Sequence, residues 1–137
     1  MNSPAADIAQ MLHDQGLAVL ATNLFIDNMP TGPNDAICVI NSGGHDPQVD
    51  TGVSNPTVQI MVYGAPGDGA ATYARASAIV NFLHGLGNVG LADSSGGSQG
   101  ARYLGIWQQS DIMRLPKDEN NRIRFSLNFR LMRTELG

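Results

Sequence analysis

The chain has 137 residues, of which 42% are apolar and 15% charged, and a formal charge of −4; that is the makeup of one globular domain with a single ordinary core. It has no apolar run of about 18 residues, the length a membrane-crossing helix needs. Its start lacks the basic and apolar regions of a signal peptide, so it is read as staying in the cytoplasm or in a particle made there.

Ser3 is a good helix N-cap, Pro4 suits the first helical position, and Asp7 complements the helix dipole. Ala5, Ile8, Met11 and Leu12 form a stripe at helical spacing, and Gly16 is a natural stop. This predicts a helix over 4–15. Residues 24–27, ahead of Met29-Pro30, form a strand, and 31–35 carry turn chemistry. Residues 36–41 read as a central strand buried on both faces. Its Cys38 is the only cysteine, which excludes an intrachain disulfide and reads as a buried thiol.

Residues 42–56 hold five Gly or Pro residues, and their only aliphatic side chains are Val49 and Val53. This stretch is expected to be a long loop, and such a loop in a compact domain is usually functional. Residues 57–63 return to a strand, with Val58, Ile60 and Val62 on one face. Gly64 to Gly69 breaks it, with Asp68 a candidate cap for a helix over 70–86. Tyr73, Ala76, Val80 and Leu83 lie on one line of that helix. Residues 88–100, rich in Gly and Ser, read as a mobile segment. A strand over 102–111 follows, 112–115 continues or follows it, and 116–121 is a polar turn.

The turn leads into the most regular stretch of the chain. Ile123, Phe125, Leu127, Phe129 and Leu131 share one parity; Arg122, Arg124, Ser126, Asn128 and Arg130 share the other. A period of two describes a long strand with one apolar and one basic face. The expected fold is a single α+β domain over 1–137. It has a mixed, mainly antiparallel sheet of about five strands, two helices packed on it, and the order α-β-β-β-α-β-β.

Charge is unevenly placed. Residues 1–74 hold seven acidic residues and no Lys or Arg, whereas 75–137 hold eight basic residues against five acidic, so the halves carry −7 and +3. Either the two sets neighbour each other within one fold, or they meet across a head-to-tail subunit boundary. One basic strand in an acidic protein is a poor nucleic-acid footprint.

No catalytic constellation emerges. The Gly64–Gly69 stretch lacks the Lys-Ser/Thr pair of a phosphate loop, with Ala70-Ala71 in its place. Gly96-Gly97-Ser98-Gln99-Gly100 spells a nucleophile elbow but precedes a strand, and no His follows His84. His13, His45 and His84 have no ligand-spaced partner on their own elements. His45, Asp46 and Asp50 on one Gly-rich segment are commonplace loop groups rather than a metal site. Asp118-Glu119 reads as a solvated pair. Trp107 is either core or an interface anchor. This points to a structural or binding role, with no catalytic residue, metal or cofactor.

In order along nearly the whole chain, several pieces resemble the tailed-bacteriophage minor capsid, or tail terminator, family. They are Gln15-Gly16-Leu17 after the first helix, Asn23-Leu24-Phe25 leading to Met29-Pro30, and Ala36-Ile37-Cys38-Val39-Ile40 before Gly43-Gly44. Asn55-Pro56-Thr57-Val58-Gln59-Ile60 follows, and the closing piece runs from Asp118-Glu119-Asn120-Asn121 to Arg130. Asn121 stands where the family would have a turn Gly, and Asn tolerates the same backbone. The resemblance implies a non-enzymatic virion protein, assembled in the host cytoplasm. It would form a ring, commonly of six subunits, on the head-proximal end of the tail tube. The ring would stop tube polymerisation and present a surface to the head-completion or connector protein, while DNA passes through the lumen without specific binding. Its fold would be a mixed sheet flanked by helices.

Joined to the charge pattern, this sets Arg122, Arg124 and Arg130 on one side of a subunit interface, with Asp27 or Asp35 on the other. The segments holding His45, Asp46 and Asp50, and Ser94 and Ser95, are expected to contact tube or connector. The competing readings are another head-tail joining or tail adaptor protein, and a small-ligand binding module.

Overall fold

The computed structural model describes residues 2–48, 52–91 and 100–135. Among these residues two helices and seven strands follow in the order α1 (Pro4–Asp14), β1 (Leu24–Ile26), β2 (Ala36–Gln48), β3 (Val53–Gly64), α2 (Gly69–Leu83), β4 (Val89–Leu91), β5 (Ala101–Gln108), β6 (Met113–Leu115) and β7 (Ile123–Glu135). The expected class is right, and the sheet holds two strands more than expected. All seven strands join one sheet in the order β1-β2-β3-β7-β5-β4, with β6 also paired to β7. Every pairing is antiparallel except that of β1 with β2.

The long basic-and-apolar strand is the centre of this sheet. On one side β7 pairs with β3 from Gly64↔Ile123 to Ser54↔Arg133. On the other side its first half meets β6 and its second half meets β5. Leu127 and Phe129 stand opposite Ile60 and Val58, and with Ile37, Val39, Val62 and Ile106 they form the apolar face on which both helices rest. From α1, Ala5, Ile8, Ala9 and Leu12 enter this core; from α2, Ala76, Ile79 and Leu83 do. Full burial of each large aliphatic side chain contributes about 1.5–3 kcal/mol.

The caps follow from local chemistry. Ser3 Oγ accepts the Ala6 amide at 3.2 Å, as its position before Pro4 suggests. Asp68 does not cap α2 with its side chain; its carbonyl instead accepts both the amide and the hydroxyl of Thr72. Helix α2 ends at Leu83, three residues short of the expected limit, because Gly85 and Leu86 leave the helix to pair with Ile106.

The main correction concerns 42–56. It is not a loop: β2 runs to Gln48 and β3 begins at Val53, making a long hairpin with register shifts between Asn41 and Gly44 and between His45 and Gln48. Gly44, at φ +128°, passes so close to Asn55 and Pro56 that a Cβ would overlap their backbone. Gly here marks a bulged strand rather than a coil. Within 88–100, residues 89–91 form a strand, and residues 92–99 lie outside the described residues.

Candidate functional site

Because side chains alternate along a strand, Arg124, Ser126, Asn128 and Arg130 of β7 occupy the face turned from the helices. At one end of this face Cys38, Met61 and Tyr63 are buried, with Met29, Ile40 and Leu115 packed against them. Further along, the face is polar. Gln59 Nε2 donates to Ser126 Oγ at 2.8 Å, Ser42 and Thr57 share a hydroxyl–hydroxyl hydrogen bond of 2.8 Å, and Asn128 Nδ2 donates to Ser110 Oγ at 3.3 Å. The exposed Arg130 lies over the Trp107 ring, 5.1 Å from its centre, and the two stand opposite in the β5–β7 register. The indole crosses Gly105, where any Cβ would meet the ring. Trp107 is half-buried, so it is neither core nor free anchor: its ring forms a platform beneath a cation. The guanidinium of Arg124, half-buried, donates through Nε to the Pro116 carbonyl at 2.9 Å.

Arg122 belongs elsewhere. Its Nε donates to Asp118 Oδ2 at 2.6 Å, its Nη1 donates to the carbonyls of Pro33 at 2.7 Å and Pro30 at 3.2 Å, and its guanidinium lies 4.6 Å from the Tyr63 ring centre. The side chain is 5% exposed. It fastens the connection between β1 and β2 to the turn before β7, so its expected role at the subunit surface is replaced by one inside the chain. Asp118 also accepts the amides of Arg122 and Asn120, with Asn121 at φ +60° closing the turn. Partial burial acts to raise the Asp118 carboxyl, but the hydrogen bonds and charge of Arg122 outweigh it and hold the group below its ordinary value.

The two acidic candidates differ. Asp35 is exposed and pairs with Arg75 Nη1 at 3.2 Å. Asp27, also exposed and at φ +61°, accepts the Asn41 amide and side-chain amide at 2.8 Å each. Asn41 in turn accepts the Ala5 amide at the start of α1. Of the expected contact segments, His45 and Asp46 lie on β2 near the hairpin end, while Asp50, Ser94 and Ser95 lie outside the described residues.

Sequence reasoning missed a buried cluster. The Tyr103 hydroxyl donates to Asp7 Oδ2 at 2.7 Å, and Arg133 Nη1 lies 3.8 Å from the same oxygen and donates to the Asn2 carbonyl at 2.9 Å. Burial raises the Asp7 carboxyl, while Tyr103, Asn2 and the Arg133 charge pull it down. Burial beside Asp7 raises the Tyr103 hydroxyl too. The alternation of β7 continues to Arg133, and that was the available signal: Arg133 falls on the apolar parity, so its charge needed a buried partner.

His13 Nδ1 accepts the Leu20 amide and His84 Nδ1 accepts the Gln108 amide. Among the described residues no three His, Cys, Asp or Glu gather as metal ligands.

The model of a family described as bacteriophage tail terminator protein matches residues 11–135. A solved chain from the virion of a native gene transfer agent particle shares the fold, with a TM-score of 0.69 and 22% identity over 98% of this chain and 100% of that one. A second solved chain, 14% identical over 93% of this chain and 96% of that one, superposes with a TM-score of 0.46. No curated protein matches.

Proposed function

Because this chain belongs to the bacteriophage tail terminator family, we propose that it closes the head-proximal end of a phage-type tail as a ring of copies, six by the family resemblance. The ring stops polymerisation of the tail tube and offers its other surface to the head-completion or connector protein, while DNA passes through the lumen without specific binding. It works as a structural part rather than an enzyme, assembled in the host cytoplasm. The observation that carries this reading is the family match over nearly the whole chain.

In this reading the roles divide between two sets of residues. Asp27, near β1, and Arg124, beside β6, serve contacts between neighbouring copies. The face of Arg130, Trp107 and Asn128, and the β2–β3 hairpin with His45 and Asp46, meet tube or connector. Asp35 at the surface and Arg122 in the interior are engaged within the chain and hold these surfaces in place.

Electron microscopy of a lysate from particles with this gene disrupted tests the reading. DNA-filled heads beside unjoined tails of uncontrolled length are the expected result. Missing tails or leaking heads would move the protein to another joint of the particle, and normal infectious virions would discard a structural role.

A further inference from the structure

Trp107 and Arg130 stand opposite each other in the β5–β7 register, and their contact leaves the cation unpaired. The exposed guanidinium lies over the indole and, among the described residues, makes no hydrogen bond and no ion pair. Beside it opens a cleft of about 250 Å³ lined by Trp107, Gln108, Gln109 and Arg130. Its backbone is held in place: the Gln108 amide donates to His84 Nδ1 at 2.9 Å, and the Gln109 amide to the Asn128 carbonyl at 2.7 Å. The side-chain amides of both glutamines have no hydrogen-bond partner among the described residues, so their N–H donors, like those of Arg130, are free.

The surrounding strands are poor in anions. Together β3, β5, β6 and β7 hold five arginines and one acid, Glu135, at the end of β7 and on its other parity. Arg124 shares the parity of Arg130, and Arg102 joins the same face through its pairing with Thr134. Asp111, in the connection that follows the cleft, turns its Oδ1 to the Ile112 amide at 2.8 Å. In a chain of net charge −4, the outer face of β3, β5 and β7 therefore carries positive charge alone.

We propose that this cleft takes a carboxylate side chain, Asp or Glu, presented by the end of the tail tube. The proposal rests on the tail-terminator reading above, in which this face meets tube or connector. The family is described by tail termination, which makes the tube end the partner that this chain has to touch. A guanidinium can stack on an aromatic ring and still fork two parallel hydrogen bonds to a carboxylate. The amides of Gln108 and Gln109 add donors beside that fork. Because Gly105 has no Cβ to meet the indole, the platform is set before the partner arrives, and little side-chain freedom is lost on binding. Tryptophan and arginine are enriched among the side chains that carry interface affinity, and a carboxylate supplies the charge this face lacks.

Cosedimentation of the full chain with tail tubes, purified from particles in which this gene is disrupted, tests the contact. Arg130→Glu is expected to raise the half-saturating concentration by about tenfold, a loss that shrinks as salt screens the charges. Arg130→Lys, which keeps the charge without the fork, should raise it less. Self-assembly, followed by light scattering, should be the same in both variants as in the parent chain. Equal tube binding by Arg130→Glu and the parent chain would overturn the carboxylate contact and leave the terminator reading standing. Weakened binding to DNA-filled heads or to duplex DNA, with tube binding intact, would also overturn it and give the cleft to the connector or the lumen. A parent chain that neither assembles nor binds tubes would overturn the terminator reading itself.

Discussion

Arg122 and Asp118 form a salt bridge of 2.6 Å in which both side chains are largely buried, and the arginine also holds the carbonyls of Pro30 and Pro33. A charge pair so placed is costly to break from one side, because the remaining charge stays buried without a partner. Arg122→Ala is expected to lower stability by about 3–5 kcal/mol, read from urea unfolding, whereas Lys117→Ala on the exposed surface should stay within about 0.5 kcal/mol. The folded-state value of Asp118 is depressed. Its contribution is therefore present above the ordinary carboxylate value of 3.8 and is lost as pH falls through the lower folded value.

Asp7 has the opposite sign. Its carboxyl is raised by burial, so the folded chain holds that proton more tightly than the unfolded chain does. The stability tied to the protonated form is full below 3.8 and is lost as pH rises through the raised value. Asp7→Asn, which keeps an acceptor for the Tyr103 hydroxyl, should flatten the change in urea midpoint as pH rises above 3.8. Tyr103→Phe removes a buried donor and should cost about 1–3 kcal/mol.

Cys38 is 1% exposed, and burial together with the nearby Asp27 charge pushes its thiol up to about 11. Only the thiolate reacts with an alkylating reagent. Modification at pH 8 should be slower in the folded protein than in urea by about a hundredfold, followed by mass spectrometry. Equal rates would show that the strand opens readily.

The Arg130–Trp107–Gly105 stack separates assembly from stability. Arg130→Glu removes an exposed cation from its platform and should alter folding by less than about 1 kcal/mol, while reducing head-to-tail joining in a complementation assay. Gly105→Val forces the indole aside and should cost about 1–3 kcal/mol in stability, visible as a shift in tryptophan fluorescence.

Much of this is legible in the sequence alone. The alternation from Arg122 to Arg133 identified β7, and the caps and stripe around Ser3, Pro4 and Ile8 identified α1, because both signals are local. The β2–β3 hairpin was hidden because its strands contain Gly43, Gly44 and Pro56. Such residues weaken an isolated strand, and only pairing across the hairpin makes their conformations favourable. Strand β6 is too short to show a period, and Arg122 shares its parity with the surface arginines although its carbonyl partners lie about ninety residues earlier. Parity describes a face; it does not say what another segment lays over it.

Strand β7 is flanked on both sides by strands made before it. Synthesis runs from the N-terminus, so β3, β5 and β6 emerge from the ribosome with the central place between them still empty. Until β7 follows, β3 and β5 have no common neighbour, the apolar face beneath the helices is incomplete, and the edges β1 and β6 do not share a sheet. The long-range closure that then follows is of the slow kind. Translation therefore acts as a timer: a nascent chain cannot close its sheet before its central strand has arrived.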